Sequence, residues 1–245
     1  MNLRSVIKKL KDLFSNSLFN VKWKCLNCGK EIFEEKAFCE KCYEKLPFND
    51  KIICAHCGRQ VVAPENYCTT CKGKLTSLDC CRSFFVYEKP ISTLIMRFKY
   101  GNHKYLVDYF ADCLSKIYFK YYFNADFFVY VPMTAKSEKK RGYNQAKLLA
   151  EKLSQLTEVP VIQCIEKVKE TKRQATLNRE QRLKNLKDAF RVIDKKVVKG
   201  KSIVIVDDVT TTGATANYIA VRLKKAGAKN VSLITVASTP PIDKY

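Results

Sequence analysis

The chain has 245 residues, 47% of them hydrophobic, and carries 45 Lys+Arg against 24 Asp+Glu for a formal net charge of +21. That length and apolar content suit one α/β core plus a small second module and exclude a chain that is disordered throughout. No run of about twenty apolar residues occurs, which excludes a membrane-spanning helix on length, and the basic excess points to a polyanionic partner such as nucleic acid, or less directly to a membrane surface.

Residues 1–22 begin with a helical stripe of Leu3, Val6, Ile7, Leu10, Leu13 and Phe14. Lys8, Lys9, Lys11 and Asp12 break into it, which the apolar region of a secretory signal does not tolerate. This basic amphipathic helix is expected to pack on the protein rather than enter lipid. Export is not indicated, and a cytoplasmic location is expected.

Cys25, Cys28, Cys39 and Cys42 are followed by Cys54, Cys57, Cys68 and Cys71, each displaced by 29 residues, with Gly29/Gly58 and Lys45-Leu46/Lys74-Leu75 in step. This is an internal duplication. Each copy presents two Cys-x2-Cys knuckles, the spacing of a tetrahedral four-thiolate site, so two structural zinc ions are expected. Filled coordination leaves no open position for catalysis. The competing reading, four disulfides in a secreted domain, fits neither the paired spacing nor the missing signal. Spacing leaves open whether ligands come from one copy or both, and the matched register favours one zinc per copy. His56 lies inside a knuckle as a bystander, and Cys80, Cys81, Cys113 and Cys164 fit no ligand spacing and read as buried or spare thiols.

After the double ribbon, assigned to residues 23–79, alternating patterns define an α/β domain over residues 83–245. Strands are predicted at Ser83–Tyr87, Phe127–Val131, Val161–Val168, Ala189–Val192, Ser202–Asp207 and Asn230–Ala237. Helices are predicted at Ile91–Tyr100, His103–Tyr122, Tyr143–Leu156 and Thr215–Ala226, the last closed by Gly227. Such alternation implies a parallel sheet with crossover helices.

The charge belongs to this domain. Lys22–Lys89 holds 12 basic and 9 acidic residues, whereas Lys167–Arg191 holds nine and three. Counting eight thiolates and two zinc ions lowers +21 only to about +17. Tyr100, Tyr105, Tyr118, Tyr121 and Tyr122 sit among Lys99, Lys104, Lys116 and Lys120, a mixture that suits either the core face of an aromatic-rich helix or stacking of single-stranded bases. His103 reads as structural or solvated.

The most informative segment is Ile203–Thr215. Its apolar Ile203–Val206 is a central parallel strand, Asp207 and Asp208 are expected to emerge together at its carboxyl end, and Thr210, Thr211, Thr212, Gly213, Ala214 and Thr215 form a small, hydroxyl-rich turn into a helix. Backbone N–H groups at a helix start favour an anion. Two carboxylates accept hydrogen bonds from a vicinal diol. Phosphoribosyl pyrophosphate offers both groups. A second loop, Val131-Pro132-Met133 leading to Arg141, Gly142, Asn144 and Gln145, stands at another strand end, where the guanidinium and side-chain amides can meet the pyrophosphate. Arg173 is grouped with them. The polar and basic stretch from Arg173-Gln174 to Arg182-Leu183-Lys184-Asn185-Leu186 reads equally as a lid over the ligand or as a surface excursion.

The strand and turn at Asp207–Thr215 resemble type I phosphoribosyltransferases. Together with the double ribbon, Val131-Pro132-Met133, Arg141-Gly142-Tyr143-Asn144-Gln145, Arg173-Gln174 and Arg182 through Phe190, they resemble the ComF family of competence proteins from about Cys25 onward. The resemblance implies a type I phosphoribosyltransferase-like sheet with an N-terminal tandem zinc ribbon, phosphoribosyl pyrophosphate bound with magnesium, and a role in natural transformation, handling single-stranded DNA beside a translocating helicase. It leaves two other readings open: an active phosphoribosyltransferase acting on a nucleobase or nucleic acid, and a zinc-dependent adaptor for the helicase. In such transferases a hood selects the nucleophile. Here the last strand is soon followed by Tyr245, the ribbons take the hood's place in sequence, and they show no base-selecting residues.

Overall fold

A computed structural model describes residues 23–61, 66–69, 71–72, 76–121, 123–171 and 188–240. The N-terminal helix, Arg173 and the lid segment, Lys74-Leu75 and Tyr122 lie outside the described residues. The chain divides into two units, Met1–Leu46 and Pro47–Tyr245. Among the described residues no helix is long and apolar enough to cross a membrane.

In the first unit, β1 (Trp23–Lys24) and β2 (Glu31–Ile32) form a short antiparallel hairpin, and α1 (Glu40–Tyr43) follows. Cys25 N–H donates to the Lys30 carbonyl and Gly29 N–H to that of Cys25, while the amides of Cys42 and Tyr43 both donate to the Cys39 carbonyl. Every one of these bonds recurs 29 residues later, from Cys54 to Arg59, Gly58 to Cys54, and Cys71 and Lys72 to Cys68. Gly29 and Gly58 both turn with positive φ, +74° and +68°, a conformation that residues with a Cβ rarely adopt. The duplication read from cysteine spacing is thus a duplication of backbone.

The second unit is built on a four-stranded parallel sheet in the order β3-β8-β7-β4, from β3 (Cys80–Val86), β4 (Phe127–Tyr130), β7 (Ser202–Thr210) and β8 (Asn230–Ser238). β7 and β8 are central, and Ile203 to Val206 are buried on both faces, as the continuous β-branched run requires. Among the described residues the helices of this unit are α2 (Ile91–Tyr100), α3 (Leu106–Lys120), α4 (Ala135–Arg141), α5 (Gln145–Thr157), α6 (Lys195–Val198) and α7 (Ala214–Lys225). In α7, Ala216, Ile219, Ala220 and Leu223 pack with Phe127, Val129, Ile203, Ile205 and Leu233 in one core. Ile91, Leu94, Ile95 and Phe98 of α2, and Ala146, Leu149, Ala150 and Leu153 of α5, are buried at the same helical spacing. Gly227 closes α7 at φ +97°, with Ala228 N–H returning to the Leu223 carbonyl.

Three expectations are corrected. The strand before α2 starts at Cys80 rather than Ser83, because Cys80 and Cys81 pair with Ser232 and Leu233 of β8. Among the described residues, the strands predicted over Val161–Val168 and Ala189–Val192 join the parallel sheet at Val161 alone, which bridges Phe128 of β4 in parallel, with Ile162 N–H donating to the Phe128 carbonyl. They shrink to β5 (Ile165–Lys167) and β6 (Phe190–Val192), which pair antiparallel with each other in a sheet of their own. Their short apolar runs carry no directional signal, so periodicity alone could not assign their partners. Finally, Ala135–Arg141 is a helix rather than a plain loop, capped by Thr134, whose Oγ1 accepts from Ser137 N–H.

Candidate functional site

The eight ligand cysteines gather as two sets, Cys25/Cys28/Cys39/Cys42 and Cys54/Cys57/Cys68/Cys71, with the Sγ atoms of each set within 4.8 Å of one another. Each copy therefore supplies a complete set. Zinc–sulfur bonds of about 2.3 Å in a tetrahedron separate sulfurs by about 3.8 Å. Cys28 and Cys39 stand at 3.8 Å, Cys57 and Cys68 at 3.6 Å. The donor sets fit zinc. Burial works against the Cys25 and Cys54 thiolates, yet neighbouring backbone N–H groups outweigh it and bring them to about 6 and about 7. Burial, with the first thiolates crowding in, pushes Cys57 up to about 12. Four sulfurs so placed share negative charge poorly without a cation.

The two copies differ in what surrounds them. Nothing lies within 4 Å of where a Cβ on Gly29 would stand, but a Cβ on Gly58 would sit 2.3 Å from the Cys81 carbonyl oxygen in β3. Cys81 N–H donates to the His56 carbonyl at 2.8 Å, Arg82 Nη1 to that of Ala55 at 3.1 Å, and buried Asn49 Nδ2 to the carbonyls of Gly58 and Ser83. The His56 ring meets Thr76 Oγ1 at 2.7 Å, and Ser77 N–H donates to Asn217 Oδ1 of α7. His56 is thus a strut between the second knuckle and the sheet. Cys81, Cys113 and Cys164 are buried, and burial pushes the Cys113 and Cys164 thiols up to about 12 and about 11, so they stay protonated.

At the carboxyl end of the sheet, β7 runs through both aspartates to Thr210, beyond its expected end. Each carboxylate accepts the following N–H: Asp208 N–H to Asp207 Oδ1 and Val209 N–H to Asp208 Oδ1, both at 2.9 Å. From there the two diverge. Asp208 is buried, and its Oδ2 is 2.9 Å from Lys99 Nζ, at the end of α2. Asp207 stays partly exposed, and burial, then the neighbouring Asp208 charge, raises its pKa well above the carboxylate range despite Lys99. The two aspartates, expected to emerge together, are thus unlike: Asp208 pairs with a lysine of another helix, and among the described residues Asp207 has no ion pair of its own.

Thr211 and Thr212 are exposed and Thr210 is buried, while Gly213 caps α7 at φ +72°. Thr239, just past β8, donates its N–H to the Thr210 carbonyl and its hydroxyl to that of Thr211. Loop acceptors are thereby tied to the end of β8. Ala214 and Thr215 open the first turn of α7, where Ala214 N–H donates to Thr212 Oγ1 at 3.4 Å.

The second loop is arranged differently from the sequence expectation. Asn144 is buried as the N-cap of α5, its Oδ1 accepting from Ala146 and Lys147 and its Nδ2 donating to the Val131 carbonyl. Gln145, also buried, accepts from Arg141 Nη1 at 2.6 Å. Asn144 thus uses both ends of its amide inside the fold, and Gln145 uses its Oε1 to hold Arg141. Gly142 ends α4 at φ +89°. Arg141 lies with its guanidinium 5.1 Å from the ring centre of Tyr100. Glu170, not singled out by its sequence, accepts from Thr134 and Ser137 at the start of α4, and these bonds hold its carboxyl below the usual range. Lys99 carries no local signal either, because its partner lies on a distant strand.

The Lys99–Asp208 pair makes a direct prediction. Burial alone would lower the Lys99 pKa, yet the Asp208 charge raises it. Its contribution to stability is therefore fully present below the unfolded lysine value of about 10.4 and lost only as pH rises through the higher folded value. Lys99→Met leaves a buried carboxylate unpaired and is expected to cost about 3 kcal/mol in urea unfolding at neutral pH, with Asp208→Leu added in the same chain recovering most of it. Additive losses would show that the pair is not coupled.

A parallel sheet whose central strand ends in paired acids and a threonine-rich turn into a helix, joined to two four-cysteine knuckles, defines a type I phosphoribosyltransferase-like fold with zinc-ribbon sites. Family models agree: residues 138–243 match the phosphoribosyl transferase domain and residues 15–83 the double zinc ribbon domain. The chain is 32% identical over 158 residues to Competence protein F of Haemophilus influenzae, covering 60% of this chain and 67% of that protein. It is 31% identical over 157 residues to Competence protein ComFC of Bacillus subtilis, covering 63% and 62%, and 31% identical over 163 residues to DNA utilization protein YhgH of Escherichia coli O157:H7, covering 62% and 69%. The chain belongs to the ComF family.

Proposed function

We propose that this chain is a cytoplasmic DNA-handling factor of natural transformation that binds phosphoribosyl pyrophosphate with magnesium at the end of β7, and single-stranded DNA on the same basic domain beside a translocating helicase. The observation that carries the reading is the asymmetric pair at Asp207 and Asp208. Asp207, short of a counter-charge, is suited to accept hydrogen bonds from the ribose hydroxyls, and Asp208 with Lys99 fixes the strand end next to it. The turn from Thr211 to Thr215 supplies hydroxyls and helix-start N–H groups for the sugar phosphate. Magnesium, when bound with the ligand, neutralises the pyrophosphate. Arg141 and Arg173 remain the proposed basic contacts for that pyrophosphate. The formal +21 charge supports a nucleic-acid partner, and the relatives' names place them in competence and DNA utilization.

Isothermal titration of phosphoribosyl pyrophosphate with magnesium, with and without single-stranded DNA, tests this reading. Saturable heat that requires magnesium is expected, and DNA affinity should fall log-linearly with salt. No heat at millimolar ligand, or DNA affinity indifferent to salt, would remove it.

A further inference from the structure

The tyrosines interleaved with lysines between residues 99 and 122 do not share one role. Tyr118 is buried against Phe128, and Tyr121 lies under the Arg82 guanidinium at 4.8 Å. Tyr100 and Tyr105 are 58% and 57% exposed. Of these two, Tyr100 stands where two parts of the site meet. Its neighbour Lys99 reaches Asp208 at 2.9 Å. Its ring lies under the guanidinium of Arg141, which ends α4 and comes from the loop after β4. Arg141 is held in turn, since Nη1 donates to Gln145 Oε1 at 2.6 Å and lies 3.7 Å from Met133 Sδ. The guanidinium and the ring are therefore brought together from two different elements, one residue along α2 from the lysine that pairs with Asp208.

We infer that the Tyr100–Arg141 stack is a shelf for one nucleobase of single-stranded DNA, seated beside the sugar-phosphate turn. The inference rests on the proposed DNA-handling reading and names the residues that would meet the base. An exposed aromatic ring backed by a planar cation suits a flat π-face of any sequence. Lys139 and Lys140, in the same last turn of α4 as Arg141, offer positive charge for flanking phosphates. A free inorganic anion would have no use for the ring. An apolar peptide would meet a rim of cations instead of a greasy pocket.

The test is fluorescence anisotropy of a labelled oligodeoxythymidylate, read across a salt series, with the full chain and its Tyr100→Leu and Tyr100→Phe variants. Tyr100→Leu should bind about tenfold more weakly or worse, the size of a lost base–aromatic stack. Its slope of affinity against salt should not change, because no phosphate contact has gone. Tyr100→Phe should bind like the parent. An abasic strand of equal length should bind the parent more weakly by a similar factor and lose nothing further with Tyr100→Leu. Equal binding by Tyr100→Leu and the parent would overturn the shelf, as would equal losses on thymidylate and abasic strands, or a parent that binds no single-stranded DNA. Titration of phosphoribosyl pyrophosphate keeps the two claims apart: a failed clamp appears as absent heat in the parent while Tyr100-dependent DNA binding persists, and a failed shelf leaves the heat of both proteins unchanged.

Discussion

Serine at Cys57 and Cys71 is expected to lower the melting temperature of the unit spanning residues 47–245 by roughly 10 °C, equivalent to about 3 kcal/mol for a unit of this size, whereas serine at Cys28 and Cys42 should leave that transition in place. The two sites have the same ligands and the same knuckle hydrogen bonds, so chemistry alone would make them interchangeable. Their surroundings do not. The His56 and Ala55 carbonyls of the second knuckle accept from Cys81 N–H and Arg82 Nη1 of β3, Gly58 lies against the Cys81 backbone, and the knuckle reaches α7 through His56, Thr76 and the Ser77–Asn217 bond. A structural zinc contributes on the order of 10 kcal/mol to the fold it organises, and at the second site part of that fold is the edge of the main sheet. The first site organises its own unit, where a Cβ on Gly29 would meet nothing within 4 Å. Scanning calorimetry, with hydrogen exchange at the amides of β3 and at the start of α7, reads the difference. If both serine pairs shift the transition alike, or neither does, the asymmetry has no energetic content.

Asp207→Asn is expected to abolish phosphoribosyl pyrophosphate binding while making the ligand-free protein more stable by about 1 kcal/mol, the trade that a destabilised binding site permits. The folded-state pKa of Asp207 is raised, first by burial and then by the Asp208 charge. Folding therefore favours its protonated form. The penalty grows as pH rises from the unfolded value of about 3.9 through the raised folded value and is complete above it. Asparagine keeps the shape and lacks the charge. The stability advantage of the variant should thus be largest at neutral pH and shrink as the solution is acidified towards pH 4. Affinity of the parent for the ligand should fall as pH drops through the raised folded value, because protonation turns one of the two acceptor oxygens into a donor. Thermal melts of both proteins across pH, with titrations alongside, decide it. A variant less stable than the parent at neutral pH would mean that Asp207 is a structural group, and retained affinity would mean that it does not hold the sugar.

Features written into short stretches were legible in the amino-acid order. The 29-residue echo of cysteines predicted two metal sites, one per copy, because a tetrahedral set is completed within each short segment and the Cys-x2-Cys turn is set by its own glycine. Ile203 to Val206 announced a doubly buried strand, and the switch to threonines and Gly213 announced the turn into α7, since both follow from local propensity and burial pattern. The α2 helix matched its expected range because its apolar positions repeat at helical spacing without interruption. By contrast, Asn144 looked like a ligand contact, since a capping amide and a binding amide are the same side chain until the helix start is placed.

What this sequence determined alone was the inventory: two four-thiolate sites, an α/β sheet domain, a carboxylate pair leading into an anion-friendly turn, and a strongly basic surface. Only the tertiary structure decided the pairings. It brought Lys99 onto Asp208 and left Asp207 without a lysine of its own, set Arg141 over Tyr100, joined β5 to β6 outside the main sheet, and fastened one of two matching knuckles to β3. Each of these joins segments far apart in the chain, where the contact depends on strand order and on the direction of the connecting loops. Local periodicity reports which face of an element is buried, and carries no information about which distant side chain will meet it there.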